Sequence, residues 1–225
     1  VAEDADAQPW LQVDGLRETV AYLHGLVRDE AAVVGGLGNV VLGGISQGCA
    51  ASLVGGLLFE GEREEERLGG MVGMCGWLPF RRSVRDGRTE GDADVDGLGD
   101  EDHSFDPFER AASEVLSDAM TTRPGDSVPD ALASSITRLR EALEMPRQVS
   151  KLRPIASTPI FMGHGTEDEK VPVMLGRDTA NRISSTGVRV SWNEYPGLGH
   201  WFSSAMLADI VQFLNQNTGW DANST

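Results

Sequence analysis

The stretch Asn39-Val40-Val41-Leu42-Gly43-Gly44-Ile45-Ser46-Gln47-Gly48-Cys49-Ala50 decides how the rest of the chain is read. From Asn39 to Gly43 it is short, continuously apolar and β-branched, as a strand buried on both faces of a parallel sheet would be. From Gln47 to Phe59 it is apolar and small enough for a buried helix. Between the two lies Gly44-Ile45-Ser46-Gln47-Gly48, a G-x-S-x-G pattern. A serine on a sharp strand-to-helix turn, with glycines on both sides to admit the strain, projects its hydroxyl above the sheet edge. With 27 glycines in the chain the pattern alone is weak, and a plain Gly/Ser-rich turn is the alternative. Its place between strand and helix is what favours a nucleophile.

Upstream, Val13, Leu16, Val20, Leu23 and Val27 recur at helical spacing, so an amphipathic helix is expected from Gln12 to Glu30, ended by Gly35, Gly36 and Gly38. Downstream, Leu68–Cys75, Pro159–Gly163 and Val188–Trp192 read as strands. Phe108–Met120, Pro129–Leu143, Met174–Ile183 and Ser203–Asn215 read as helices. Strands alternating with helices imply an α/β domain with a mainly parallel sheet flanked by helices, one domain over residues 1–225.

The 225 residues carry a net charge of −16 and are 40% hydrophobic, enough for a core and too apolar for disorder. The charge is uneven: Asp86 to Asp106 holds nine acids and one base. Nucleic acid is excluded as a partner, because phosphate binding needs clustered Lys and Arg. Stable membrane insertion is not expected, since no apolar run reaches the length of a span. Cys49 and Cys75 have neither disulfide-framework nor zinc-ligand spacing, which suits a reducing cytoplasm. Asp92-Ala93-Asp94-Val95-Asp96-Gly97 matches the first half of a calcium loop, but its twelfth position is His103 rather than a bidentate Glu. A solvated acidic loop is the expected reading, and no metal or organic cofactor is expected.

A serine hydroxyl attacks only when an imidazole accepts its proton, and the imidazole needs a carboxylate to fix its tautomer. His24 falls in the first helix, His103 in the acidic stretch, and His164 directly after a strand, where a structural role is expected. His200 follows the last strand at the carboxyl edge of the sheet, where chemistry gathers in open α/β folds. It is the expected general base. The acid belongs to the loop after the preceding strand, where residue chemistry alone leaves Glu167, Asp168 and Glu169 open.

Gly43 to Ala50, Cys75-Gly76-Trp77-Leu78-Pro79, the His164-Gly-x-x-Asp168-x-x-Val-Pro172 pattern and Gly197-Leu198-Gly199-His200 together resemble the acyl-protein thioesterase, or phospholipase/carboxylesterase, family. The resemblance covers Gln12–Cys75 and Pro159–Phe213. It implies an α/β-hydrolase fold and places the acid at Asp168, giving Ser46, Asp168 and His200 as the triad. It implies a serine hydrolase acting on acylated proteins or small acyl esters, with a broad carboxylesterase or lysophospholipase as the alternative. The N–H of Gln47 would be one oxyanion donor. Trp77 and Leu78 match residues beside the family's acyl channel, with core packing as the alternative for both.

Two departures from that family follow. Only 45 residues precede Ser46, too few for the family's first strands and its second oxyanion donor, so a sheet lacking those strands is expected. Losing one oxyanion donor costs on the order of 100-fold to 1000-fold in rate. The expectation is an N-terminally truncated hydrolase, weakly active and poorly soluble alone. Residues 81–152 form an acidic and helical insertion whose charge suits a basic protein partner. A catalytically impaired hydrolase-fold protein with that insertion as an interaction segment is the rival from another class.

Overall fold

The apolar spacing that predicts the first helix is realised in α1 (Pro9–Val34), which packs Val13, Leu16, Val20 and Val27 into the core. The protein is described by a computed structural model covering residues 9–63, 65–84, 128–147 and 153–218. After α1 come β1 (Val41–Ile45), α2 (Gln47–Leu58), β2 (Gly70–Met74), α3 (Val128–Ala142), β3 (Ile160–Gly165), α4 (Val173–Ser185), β4 (Val190–Tyr195) and α5 (Ser204–Thr218). The four strands are parallel and lie in chain order, β1-β2-β3-β4. Their register pairs Ile45 with Met74, Met74 with Gly163 and Gly163 with Asn193, so the carboxyl ends align along one edge.

Side chains alternate between the two faces with the period of two that a strand imposes. Leu42, Met71, Ile160 and Met162 join one cluster with α1, α2, α3 and α4. Val72, Phe161 and Tyr195 join another with Met206, Ile210 and Phe213 of α5. From Cys49 to Leu58 α2 is buried at all but one position, which is why it contains nothing larger than leucine and no charge.

β1 departs from the sequence reading. The strand begins two residues later than Asn39 and runs straight into Ser46. It is not buried on both faces: Leu42 is buried while Val41 is 41% exposed. The reason is positional, since β1 is the edge of the described sheet and α5 packs over β2 and β3.

The expected helix Phe108–Met120, the acidic stretch Asp86–Asp106 and the half calcium loop with His103 lie outside the described residues. Of residues 81–152, the described ends belong to the core and do not stand off it. Val84, Leu132, Ile136, Leu139 and Leu143 sit in the same cluster as α2. Burial of each such leucine or isoleucine contributes roughly 1.5–3 kcal/mol. Arg140 adds a largely buried tie, its Nη1 lying 2.9 Å from Glu60 Oε1.

Candidate active site

Ser46 stands at the junction of β1 and α2 with φ 57° and ψ −123°, a conformation that L side chains rarely adopt. Two hydrogen bonds hold it there. Its N–H donates to Met74 O at 2.9 Å, tying the turn to the end of β2, and its carbonyl accepts from Ala50 N at 3.1 Å. Gly44 makes the turn possible, because a Cβ there would lie 2.4 Å from the Gly48 carbonyl carbon and 2.8 Å from Cys49 N. Gly48 has no such constraint, since a Cβ there would meet nothing within 4 Å. The pattern's second glycine is therefore not demanded by space. Gln47 and Gly48 lie in the first helical turn, whose N–H groups lack intrahelical acceptors and carry the positive end of the helix dipole.

Asp168 lies in the turn after β3. One carboxylate oxygen, Oδ1, accepts from Lys170 N and Val171 N, each at 2.9 Å. The other, Oδ2, accepts from His200 Nδ1 at 2.7 Å. Burial opposes ionisation of this carboxyl, but the Val171 N–H, the His200 ring and the Lys170 N–H outweigh it and hold Asp168 below the usual carboxylate range. Glu167 and Glu169 are not bonded to His200; the backbone turn selects Asp168 among the three acids.

His200 reaches Asp168 because the loop after β4 lies directly on the end of β3. A Cβ at Gly165 would sit 2.1 Å from Leu198 O, and Glu167 N donates to that same carbonyl at 3.0 Å. Only glycine at 165 lets the two loops approach so closely.

Ser46 and His200 line one cavity of about 450 Å³ together with Ile45, Gln47, Gly48, Trp77, Lys170 and Val171. No hydrogen bond joins Ser46 to His200. Of the two expected substrate-channel residues, Trp77 borders this cavity. Leu78 does not: it is fully buried in the main core, its N–H donating to Thr179 Oγ1 at 2.9 Å, so packing accounts for it.

Three features escaped the sequence reading. His164 is inside β3, fully buried, with Nε2–H donating to Val171 O at 2.9 Å and lying 3.2 Å from Asp168 Oδ2. Burial pushes its pKa down, and its Nδ1 has no hydrogen-bond partner. The four-residue separation of His164 and Asp168 was the available signal. Cys75 is the second: burial pushes its thiol up, as it pushes Cys49 up to about 12, so neither is a ready thiolate nucleophile. The third is the stacked pair Trp201 and Phe202, exposed beside His200, with ring centroids 5.0 Å apart. His24 is structural, its Nε2 bonded to Gly55 O at 2.8 Å. Among the described residues no helix is long and apolar enough to cross a membrane.

Known proteins bear on this arrangement in three ways. The phospholipase/carboxylesterase family pattern matches residues 4–145 and 131–218. Acyl-protein thioesterase 1 of Yarrowia lipolytica is 23% identical over 206 residues, covering 91% of this chain and 61% of its own length. Acyl-protein thioesterase 1 of Debaryomyces hansenii is 39% identical over a shorter 59 residues, 26% of this chain and 25% of its own. Among solved structures, Arabidopsis thaliana SOBER1 superposes with a TM-score of 0.53 at 22% identity, covering 91% of this chain and 65% of that one. Zea mays acyl-protein thioesterase 2 gives 0.53 at 19%, covering 92% and 66%. These two establish the α/β-hydrolase fold. The chain spans about 60% of the length of the first two thioesterases it matches. A match running through nearly the whole described sheet places the chain in the phospholipase/carboxylesterase family of α/β-hydrolases, to which it belongs.

Proposed function

We propose that the chain is a serine hydrolase that cleaves acyl thioesters or esters through an acyl-enzyme on Ser46. The observation that carries this reading is the 2.7 Å bond from His200 Nδ1 to a buried Asp168 carboxylate, at the cavity that Ser46 also lines. With Nδ1–H fixed on Asp168, Nε2 is the unprotonated nitrogen and accepts the Ser46 proton as Oγ attacks the acyl carbonyl. The imidazolium then protonates the leaving thiolate or alkoxide, and a water activated by the same nitrogen releases the acid. The Gln47 N–H meets the charge developing on the carbonyl oxygen.

Acylated proteins of the depalmitoylation type are the preferred substrate class, because several relatives at 22–25% identity are acyl-protein thioesterases. A broad carboxylesterase is the second reading, favoured by the likeness to Carboxylesterase SOBER1 at 23% identity over 88% of this chain. Labelling with a fluorophosphonate tests both, since it needs an activated serine and little substrate fit. The expected result is labelling that disappears in Ser46→Ala and persists in Ser52→Ala. Absence of labelling in the wild-type chain, and in a version extended at its N-terminus, would favour the impaired hydrolase-fold protein instead. Turnover of palmitoyl-peptide against p-nitrophenyl acetate then separates thioesterase from carboxylesterase.

A further inference from the structure

The proposed mechanism gives Cys75 no part, yet the fold sets its sulfur against the acid and the base. Cys75 follows β2 with φ 47°, is wholly buried, and donates its S–H to Trp201 O at 3.3 Å. Trp201 is the residue after His200, so the same loop carries both contacts. The sulfur of Cys75, a carboxylate oxygen of Asp168 and a ring nitrogen of His200 all lie within 4.8 Å of one another. A thiol, a carboxylate and an imidazole form the mixed S, O and N donor set that zinc and its softer congener cadmium take up.

The geometry is close to what such an ion needs. Zinc bonds of about 2.0–2.3 Å place neighbouring ligand atoms about 3.3–3.8 Å apart. The 2.7 Å contact between His200 Nδ1 and Asp168 Oδ2 must widen by about 0.6 Å, and the sulfur, within 4.8 Å of both, has to close on them by no more than about 1 Å. The His200 side chain retains 14% exposure while that of Asp168 has none, so the ion's approach is from the His200 side, and a water completes the fourth position. Charge also balances. A divalent ion, one thiolate and one carboxylate sum to zero, which replaces a buried lone carboxylate charge by a neutral group.

We propose that Cys75, Asp168 and His200 form a site for a thiophilic divalent cation, zinc or cadmium, whose binding switches hydrolysis off. The switching half rests on the function proposed above; the binding half does not. In the binding step the ion replaces the Cys75 thiol proton, which goes to solvent, and the proton on His200 Nδ1. The second proton is made up by uptake at Nε2, so one proton is released per ion. With Nε2 protonated, His200 has no lone pair for the Ser46 proton, and acylation stops.

The test titrates cadmium into the whole chain and reads the ultraviolet thiolate-to-cadmium charge-transfer band, which needs no enzymatic activity. The expected result is one ion per chain with a band in the wild type, loss of the band in Cys75→Ser, and affinity lowered by at least about tenfold. Zinc should inhibit ester hydrolysis in the wild type, with a half-inhibiting concentration raised by the same factor in Cys75→Ser. No band in the wild type, or a band that persists in Cys75→Ser and so belongs to Cys49, overturns the site. Equal inhibition of both proteins overturns the switch. Should Cys75→Ser not fold, His200→Ala replaces it, and an undiminished cadmium affinity there sinks the proposal. A wild type that binds cadmium but hydrolyses nothing leaves the site standing and removes the proposed function.

Discussion

Asp168→Asn replaces one oxygen by an NH2 group and tests the whole proposed relay. In the wild type Oδ1 accepts two backbone N–H groups and Oδ2 faces two imidazole N–H groups, from His200 at 2.7 Å and His164 at 3.2 Å. Every group around the carboxylate is a donor. An asparagine must keep its carbonyl oxygen on Lys170 and Val171, which leaves its NH2 pointing at both rings. His164 can stay as it is, because its Nε2–H already has Val171 O. His200 has no second acceptor for Nδ1–H, so it changes tautomer, accepts at Nδ1 and carries its proton on Nε2. That nitrogen then donates where the mechanism needs it to accept. The expected loss in kcat is about 10⁴-fold, about 5.5 kcal/mol in the barrier, with KM within a few-fold. The assay is steady-state hydrolysis of a p-nitrophenyl ester together with the rate of fluorophosphonate labelling, on protein whose circular dichroism matches the wild type. Asn variant rates within tenfold of wild type would refute the tautomer argument, whatever the stability of the variant.

Four further outcomes follow from the same geometry. Gly44→Ala should be strongly destabilising or fail to fold, because its Cβ lies 2.4 Å from backbone, while Gly48→Ala should keep or raise the unfolding free energy from urea titration by up to about 1 kcal/mol; similar values for the two would contradict the assigned turn. Ser46→Gly should abolish labelling yet stabilise the fold by about 1 kcal/mol, being strain of about 1–3 kcal/mol released less about 0.5–1 of added chain entropy, and a lower thermal midpoint would count against the strain. His164 has its folded-state pKa lowered by burial, so the unfolded chain takes up a proton that the folded chain refuses; stability should fall as pH drops below about 6.5, and this part of the fall should vanish in His164→Gln in urea titrations. Asp168 is also lowered, but as an acid: its contribution is present above the ordinary carboxylate value of about 3.9 and is lost as pH falls through the lower folded value, so Asp168→Asn should flatten the stability curve only in that acid range.

What the sequence revealed and what it hid divide along a physical line. Periodicity exposed α1 and α3 because their apolar faces are determined by local spacing, and the strand-turn-helix around Ser46 is written in adjacent residues. The strand ends were misplaced by two or three residues, since β3 and β4 extend to Gly165 and Tyr195 only because each has a neighbour to pair with. The burial of β1 was overestimated for the same reason: apolar composition says that a strand can be covered, whereas neighbours decide whether it is. At the site, the order of Ser46, an acid and His200 was readable, but the choice of Asp168 depends on two backbone N–H groups whose positions no spacing encodes. At Leu78 the packing alternative is the one realised. A motif next to Trp77 suggested the channel, yet successive residues leave a strand end in different directions, and only Trp77 borders the cavity.

The same crowding explains why buried polar groups converge on Asp168. Parallel strands with aligned carboxyl ends bring Ser46, Cys75, the turn after Gly165 and the loop after Tyr195 to one edge. Gly165 then removes the last side chain separating the β3 turn from the His200 loop. A carboxylate placed there must be supplied with donors, because an unpaired buried charge is costly. The fold meets that demand with two backbone N–H groups and the His200 ring, with the His164 ring 3.2 Å away and the Cys75 sulfur within 4.8 Å. His164 is then a positioning residue: its N–H, bonded to Val171 O, also lies 3.2 Å from Asp168 Oδ2, so His164→Leu, which removes it, should lower kcat severalfold with little change in KM and make hydrolysis depend on pH over a different range. His164→Phe, which fills the same space without an N–H, should do the same. Should the phenylalanine variant keep wild-type kcat and pH profile, His164 serves packing alone, and the donor count around Asp168 does not set the state of His200.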